Sequence, residues 1–321
     1  MTKPLAMVTG ATGAVGPTLV EHLLRDGYAV RTLSRKAPAA GLLPQAAQHI
    51  SADINDETAL RDALAGVDVV FHLAALLHIE NPGPELAADY RRVNVDGARR
   101  VAELAAQADV RRFVYFSTVK VYGCHQRTPV TEDQTPAPQT LYAQTKLAGE
   151  QAVQASNPLE VVVLRLSAVY GPRLRGSWAR LVRAIRAERF IPVGNLRNVH
   201  SLTHVADVAR AALLVAQHQA AAGRAFNVVG HESPTMQAIL SAIYATYEKK
   251  LPAVRVPASA MLLAAFSLEK VLALGQRRSP LSVQALRQLI DDEAYSAAAL
   301  NGLGFAPHTL LTEGWRIQDD E

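Results

Sequence analysis

The 321 residues, 49% apolar and 19% charged, are enough for one large or two ordinary soluble domains with a sizeable core. A net charge of +4 carried by scattered Lys and Arg excludes a nucleic-acid surface, and pairs such as Arg91-Arg92, Arg99-Arg100 and Arg111-Arg112 read as solvated helix edges. The single cysteine, Cys124, excludes an intrachain disulfide and a cysteine-cluster metal site and reads as an ordinary loop thiol.

Leu5 to Thr9 is a short apolar run that passes into Gly10-Ala11-Thr12-Gly13-Ala14-Val15-Gly16 and then into the amphipathic Leu19 to Leu24. Strand, glycine turn and helix in that order form a pyrophosphate cradle, with bare backbone N–H groups and the positive end of a helix facing the anion. Because the first strand starts so close to Met1, no room is left for a cleavable leader, and a cytoplasmic protein is expected. Tyr28 to Leu33 is the second strand, His49 to Ala52 the third, and a helix opens near Asn55 or Asp56 and runs through Leu64. Val67 to Leu73 reads as a buried strand, about Pro84 to Ala108 as a helix carrying Asn94, and Arg112 to Phe116 as a strand ending at Ser117-Thr118. This alternation predicts an α/β fold, a Rossmann-type doubly wound parallel sheet whose ligands sit at the carboxyl ends of the strands. His72, alone inside an apolar run, reads as a packed core histidine.

Gly123 to Thr140, polar and holding Pro129, Pro136 and Pro138, reads as an ordered loop without secondary structure. The helix-favouring stretch Leu141 to Glu150 then puts Tyr142 and Lys146 one turn apart on one face. A phenol ordinarily titrates near pH ~10, so one that moves protons near neutrality needs a cation beside it, and Lys146 is placed to be that cation. Val161 to Leu166 and Phe226 to Val229 complete the sheet, with helices at Trp178 to Ala187 and from His204 onward. Ala258 to Leu274 is apolar on all sides, interrupted by Glu269-Lys270 and shorter than the ~20 residues that span a bilayer. A buried helix is the expectation there, and contact with a membrane surface or lipid is the alternative.

Six motifs now stand in one order: the glycine turn, His72-Leu73-Ala74-Ala75, Asn94-Val95-Asp96-Gly97, Ser117-Thr118 with Val121-Tyr122-Gly123, Tyr142 with Lys146, and Val169-Tyr170-Gly171-Pro172. The chain resembles the extended short-chain dehydrogenase/reductases, in their NAD(P)-dependent epimerase/dehydratase branch, over nearly its whole length. The resemblance implies that Gly10, Thr12, Gly13, Ala14, Val15 and Gly16 surround the pyrophosphate, that Asp53 and Ile54 flank the adenine, and that Leu73, Ala74 and Ala75 line the path to the nicotinamide. It makes Tyr142 the acid-base, Lys146 the group that binds the nicotinamide ribose and lowers the tyrosine pKa, and Thr118 the hydroxyl that holds the reacting oxygen, with Ser117 its neighbour at the substrate. Asn94 is structural or water-organising in this family. Relatives that dehydrate nucleotide sugars resemble this motif but carry an Asp-Glu pair after the two hydroxyls; Val119-Lys120 stands here, so dehydration is not expected.

Cofactor choice in this fold is made at the end of the second strand, where Ser34-Arg35-Lys36 follows Leu33 without a carboxylate. Ser34 and Arg35 form a clamp for a 2′-phosphate, and NADP is favoured over NAD. Arg197 to Leu202 resembles the phosphate-contacting stretch of nucleotide-sugar enzymes, although His200 stands where many relatives have arginine; Arg173, Arg175 and Arg197 either supply the missing charge or are solvated surface groups. The expected organisation is a cofactor domain over residues 1–170 and about 201–229, and a substrate domain over about 171–200 and 230–321. The expected function is an epimerase or ketoreductase acting on a ring carbon of a nucleotide-diphosphate sugar, working as a homodimer through the helices near residues 98–108 and 142–155. The alternatives are a 3β-hydroxysteroid-dehydrogenase-like oxidoreductase on an apolar hydroxy substrate, and a non-catalytic cofactor-binding regulator.

Overall fold

The computed structural model describes residues 3–77, 86–123, 126–156, 158–231, 233–274 and 283–317. Cys124 lies outside them. In chain order the elements are β1 (Leu5–Thr9), α1 (Gly16–Arg25), β2 (Ala29–Ser34), β3 (Gln48–Ser51), α2 (Glu57–Leu64), β4 (Val69–His72), α3 (Leu86–Arg91), a π-helical segment (Arg92–Gly97), α4 (Ala98–Gln107), β5 (Arg112–Thr118) and β6 (Gln126–Val130). There follow α5 (Leu141–Gln154), β7 (Glu160–Leu166), β8 (Ala168–Tyr170), α6 (Gly176–Arg186), β9 (Leu202–His204), α7 (Val205–Gln217), β10 (Ala225–Val228), α8 (Met236–Thr246), α9 (Ala258–Leu274), α10 (Val283–Ile290), β11 (Glu293–Tyr295) and α11 (Ala298–Asn301).

Seven strands form one parallel sheet in the order β10-β7-β5-β4-β1-β2-β3, the Rossmann arrangement that the strand and helix alternation predicts. Its order reverses between β1 and β4, so the crevice opens where the turn after Thr9 meets the loop after His72. Both faces are apolar, as parallel strands require. Leu19, Leu23, Val208 and Val215 of α1 and α7 cover one face, and Leu60, Val101, Ala105 and Val153 of α2, α4 and α5 cover the other. A third cluster joins α6 and α8 through Val182, Ile185, Ile239 and Ile243 and closes on Trp315, which stacks on Tyr170 at 4.5 Å.

Three expectations are corrected here. Arg112 is buried at the start of β5: its guanidinium pairs with Glu160 at 2.8 Å and donates to the carbonyls of Val215 and His218 at the end of α7, so its charge is spent on a helix C-terminus inside the protein. The Pro-rich stretch after Gly123 contains a strand, β6, which pairs in parallel with β11. Helix α9 is a surface helix: Ala265 is its buried residue among the described side chains, and Leu263, Phe266 and Val271 lie in solvent.

Candidate active site

The glycine turn leaves β1 with Gly10 at φ +70°, and a Cβ there would lie 2.6 Å from the backbone nitrogen of Ala74. A side chain at Gly16, the first residue of α1, would strike the Ala11 backbone. These contacts pull the turn and the helix against the sheet. The N-terminus of α1 has no side-chain cap and no acidic residue in its first turn, so its N–H groups and dipole are left for an anion from outside the chain. The cradle fits a dinucleotide pyrophosphate on these grounds. At the end of β2, the Ser34 hydroxyl donates to the Lys36 carbonyl at 2.8 Å, and Arg35 is exposed beside it. Burial raises the Asp53 pKa, but bonds from Asn55 and the nearby Arg92 and Arg35 outweigh it and hold the carboxyl below its usual range. Ile54 is buried, its side chain packed toward Gly97.

The loop after β4 is tied from both sides. Thr9 Oγ1 accepts from the Ala74 N–H at 3.3 Å, while the Asn94 side chain accepts from the Leu76 N–H at 2.7 Å and donates to the Leu76 carbonyl at 3.1 Å. Asn94 also donates to Thr145 Oγ1 at 3.2 Å, which links this loop to α5. It sits in the π-helical segment, a local widening that often marks functional sites, and its side-chain bonds tie the loop after β4 to α5. His72 is a packed core group: it stacks on Phe113 and Tyr115, its Nδ1 meets Thr9 Oγ1 at 3.0 Å, and burial pushes its pKa down to about 3.

Helix α5 begins where the Thr140 hydroxyl accepts from the Ala143 N–H at 3.2 Å. Tyr142 lies in its first turn, partly exposed; Lys146 lies one turn on, 2% exposed, with Nζ 4.0 Å from the centre of the Tyr115 ring. The aromatic face thus holds the ammonium inside the protein. Burial pushes Tyr142 up to about 12 and Lys146 down to about 7, although Glu150 opposes the latter. In the ligand-free protein it is loss of hydration, with Tyr90 beside it, that raises the Tyr142 phenol. Between about pH 7 and the ordinary lysine value of 10.5, the folded protein binds fewer protons at Lys146 than the unfolded chain, so stability rises with pH across that window. Lys146→Met removes this dependence. The ligand-free variant is expected to melt above the wild type near pH ~6, with the gap closing toward pH ~10; a gap independent of pH would contradict the burial of a charge there.

The strand alternation of β5 separates the two hydroxyls at its end. Ser117 donates to Glu150 inside the protein, whereas Thr118 Oγ1 accepts from the Lys120 N–H at 3.2 Å and keeps its own hydrogen to donate. Lys120, which stands in place of the dehydratase carboxylate, pairs with Glu293. Glu150 is a residue whose role the sequence motifs did not reveal. Its carboxylate takes Ser117 and the Arg165 guanidinium at 2.7 Å, and Arg165 donates in turn to the Tyr122 hydroxyl at 2.8 Å, which donates to Asn227 at 3.0 Å. The one available signal was its place four residues after Lys146, on the same face of α5.

The candidate phosphate-contacting groups are divided. His200 is 1% exposed, with Nε2 2.8 Å from Asn198 Nδ2 and its ring edge-on to Trp178, and burial lowers its pKa against the opposing charge of Glu293. It is not a substitute for an arginine. Arg197 and Arg175 are exposed and Arg173 half-buried, and among the described residues none of the three makes an ion pair. A cavity of about 350 Å³ lined by Tyr170, His204, His231 and Leu310 contains none of Thr118, Tyr142 or Lys146.

Residues 6–229 match the model of the NAD dependent epimerase/dehydratase family. The chain belongs to that family. Its glycine turn, hydroxyl pair and Tyr-Lys helix are the motifs of the extended short-chain dehydrogenase/reductases. Among similar family members, the UDP-glucose 4-epimerase of Vibrio cholerae is 30% identical over 73% of this chain and 73% of its own. The N-acetyl-alpha-D-glucosaminyl-diphospho-ditrans,octacis-undecaprenol 4-epimerase of Escherichia coli O157:H7 is 25% identical over 95% of this chain and 91% of its own. The solved structure of MoeE5 in complex with UDP-glucuronic acid and NAD superposes with a TM-score of 0.75 at 27% identity, covering 97% of this chain and 96% of that one.

Proposed function

We propose that the protein is a NAD(P)-dependent epimerase that inverts C4 of a sugar carried on a nucleotide diphosphate, with Tyr142, Lys146 and Thr118 as its working groups. The observation that supports this reading is that the Tyr142 phenol and buried Lys146 at the start of α5 and the Thr118 hydroxyl at the carboxyl end of β5 stand at the same edge of the parallel sheet as the turn between β1 and α1. The relative named as a UDP-glucose 4-epimerase supports the nucleotide carrier, and the relative named as a 4-epimerase of a glucosaminyl group on diphospho-undecaprenol supports inversion at C4 of a diphospho-linked sugar. A nicotinamide dinucleotide held by the cradle supplies the acceptor and donor of hydride. Thr118 donates to the hydroxyl oxygen on the reacting carbon, and Tyr142 Oη takes the proton of that hydroxyl and returns it once the sugar presents its other face. With its phenol at about 12, Tyr142 gives up its proton only when positive charge is placed beside it, so catalysis is coupled to cofactor binding. Lys146 holds the cofactor ribose, and Arg173 and Arg197 meet the diphosphate.

A second reading, net reduction of a ketone by NADPH, is favoured by one observation: the corner after β2 offers the exposed guanidinium of Arg35 and no carboxylate in Ser34-Arg35-Lys36. A homodimer through α4 and α5, which lie side by side on one face of the sheet, and a cytoplasmic location complete the proposal. No helix among the described residues is long and apolar enough to cross a membrane.

Thermal shift tests the substrate class. In saturating cofactor, UDP, dTDP or GDP is expected to raise Tm, as about 2.7 kcal/mol of stabilisation follows at a hundredfold excess over Kd. Stabilisation by sterol or acyl hydroxy compounds alone would move the assignment to an apolar substrate.

A further inference from the structure

Helix α9 reverses the usual arrangement of a surface helix. Leu263, Phe266 and Val271 are 67%, 53% and 64% exposed. Their spacing of three and eight residues puts them on one side, with the exposed Ala260, Ala264 and Lys270. The opposite side is apolar too, since Met261, Leu262, Ala265 and Leu268 are buried or half-buried. Ser259 and Ser267 are exposed on the outer side as well, so the apolar area to be covered is that of Leu263, Phe266 and Val271 with the two alanines. Val254, four residues before the helix, and Ile191 are also exposed, at 74% and 55%, and their segments are joined by the bond from the Val256 N–H to the Pro192 carbonyl at 2.9 Å.

Two cations, Lys270 and Arg255, stand beside the exposed side chains, whereas Lys249 is paired with Glu188. Glu269 is turned away to accept from the Val283 N–H at 3.0 Å. Lys270 stays on the outer face, with Nζ 5.5 Å from the Phe266 ring, and Arg255 lies next to Val254 with its guanidinium on the Asn195 carbonyl at 2.9 Å. From residue 248 to 278 the sequence has six Lys or Arg against two Glu, an excess equal to the net charge of +4 of the whole chain.

We propose that α9, together with Val254 and Ile191, docks the protein on the surface of an anionic lipid bilayer. The helix lies in the interface plane: its 17 residues extend about 26 Å, with Lys270 and Arg255 reaching the phosphate layer while Leu263, Phe266 and Val271 enter the acyl boundary. A second copy fits this face less well. Three large side chains on one helix cover far less than the about 800 Å² per partner that a stable dimer buries, and pairing two copies would bring their cations together. The surface stands on the substrate side of the cleft. Helix α9 packs on α10, and the residues after α10 bind the 198–200 segment through the Asp292 carboxylate and Lys120 through Glu293, two residues from Thr118. Docking is independent of the epimerase reading and is measured without turnover.

Co-sedimentation of the full chain with phosphatidylcholine vesicles, with and without phosphatidylglycerol, tests the proposal. The wild type is expected to bind the anionic vesicles and to lose at least about fivefold in partition in high salt or on neutral vesicles. The double variant Leu263→Glu with Phe266→Glu is expected to lose at least about tenfold. Because both side chains are exposed, its Tm should match the wild type; should it fall, Arg255→Glu with Lys270→Glu provides the same reading through charge alone, with loss confined to anionic vesicles. Absence of wild-type binding, equal binding to neutral vesicles, or binding unchanged in both variants would overturn the proposal. So would self-association in sedimentation velocity that the Leu263 and Phe266 changes abolish while vesicle binding is absent, because a second copy would then cover the helix.

Discussion

Tyr142→Phe is expected to fold, bind cofactor and lose at least about a hundredfold in turnover. The side chain sits in the first turn of α5, partly exposed, and the turn is fixed by the Thr140 cap and by Thr145 Oγ1 donating to the Leu141 and Tyr142 carbonyls at 3.0 Å, none of which uses the phenol oxygen. Removing one oxygen therefore leaves the helix start in place and takes away the proton carrier. Lys146 cannot take over, since it lies a turn deeper, closed in against the Tyr115 ring. Cofactor affinity within about threefold of wild type together with the lost turnover would locate the defect in proton transfer. Turnover within a few-fold of wild type would remove Tyr142 from the mechanism.

Arg35→Asp is expected to lower kcat/KM for NADP(H) at least tenfold, about 1.4 kcal/mol, while NAD(H) is unchanged or improved. The guanidinium is exposed at the corner after β2, where it can fork onto a phosphate on the adenosine ribose; a carboxylate there repels that phosphate and accepts from the two ribose hydroxyls of NAD. Asp53 is the nearby acid, but its carboxylate is held by Asn55. If the wild type prefers NAD and the substitution alters neither cofactor, the 2′-phosphate site is absent and the ketone-reduction reading loses its support.

Where structure depends on neighbours in sequence, the chain was easy to read. The β1, glycine turn and α1 unit, the buried β4 and β5, and the Thr140 to Lys146 helix start all lie where apolar runs, glycines and caps put them. What escaped depends on distant partners. Strand β6 exists because β11 pairs with it from the other end of the chain, and Pro129 within it reads locally as a break. Arg112 is recruited inward by Glu160 and by the carbonyls of α7, which no local charge pattern reveals. Composition alone made α9 a buried helix, because exposure is decided by what packs on it and not by its residues. At the site, spacing was sufficient to align Tyr142 with Lys146, yet the shifts of both arise from their burial, with Tyr90 adding to the rise of Tyr142 and Glu150 opposing the fall of Lys146.

The most direct test of the central claim is nuclear magnetic resonance of nucleotide-diphosphate hexoses deuterated at C4, incubated with the protein and its cofactor. Inversion at C4 by Tyr142 and a retained hydride predicts a mixture of the two 4-epimers with deuterium still on C4 and no build-up of reduced cofactor. Deuterium passing into the free cofactor pool with a ketone left behind, or no inversion of any such hexose while a ketone is reduced by NADPH, would contradict it.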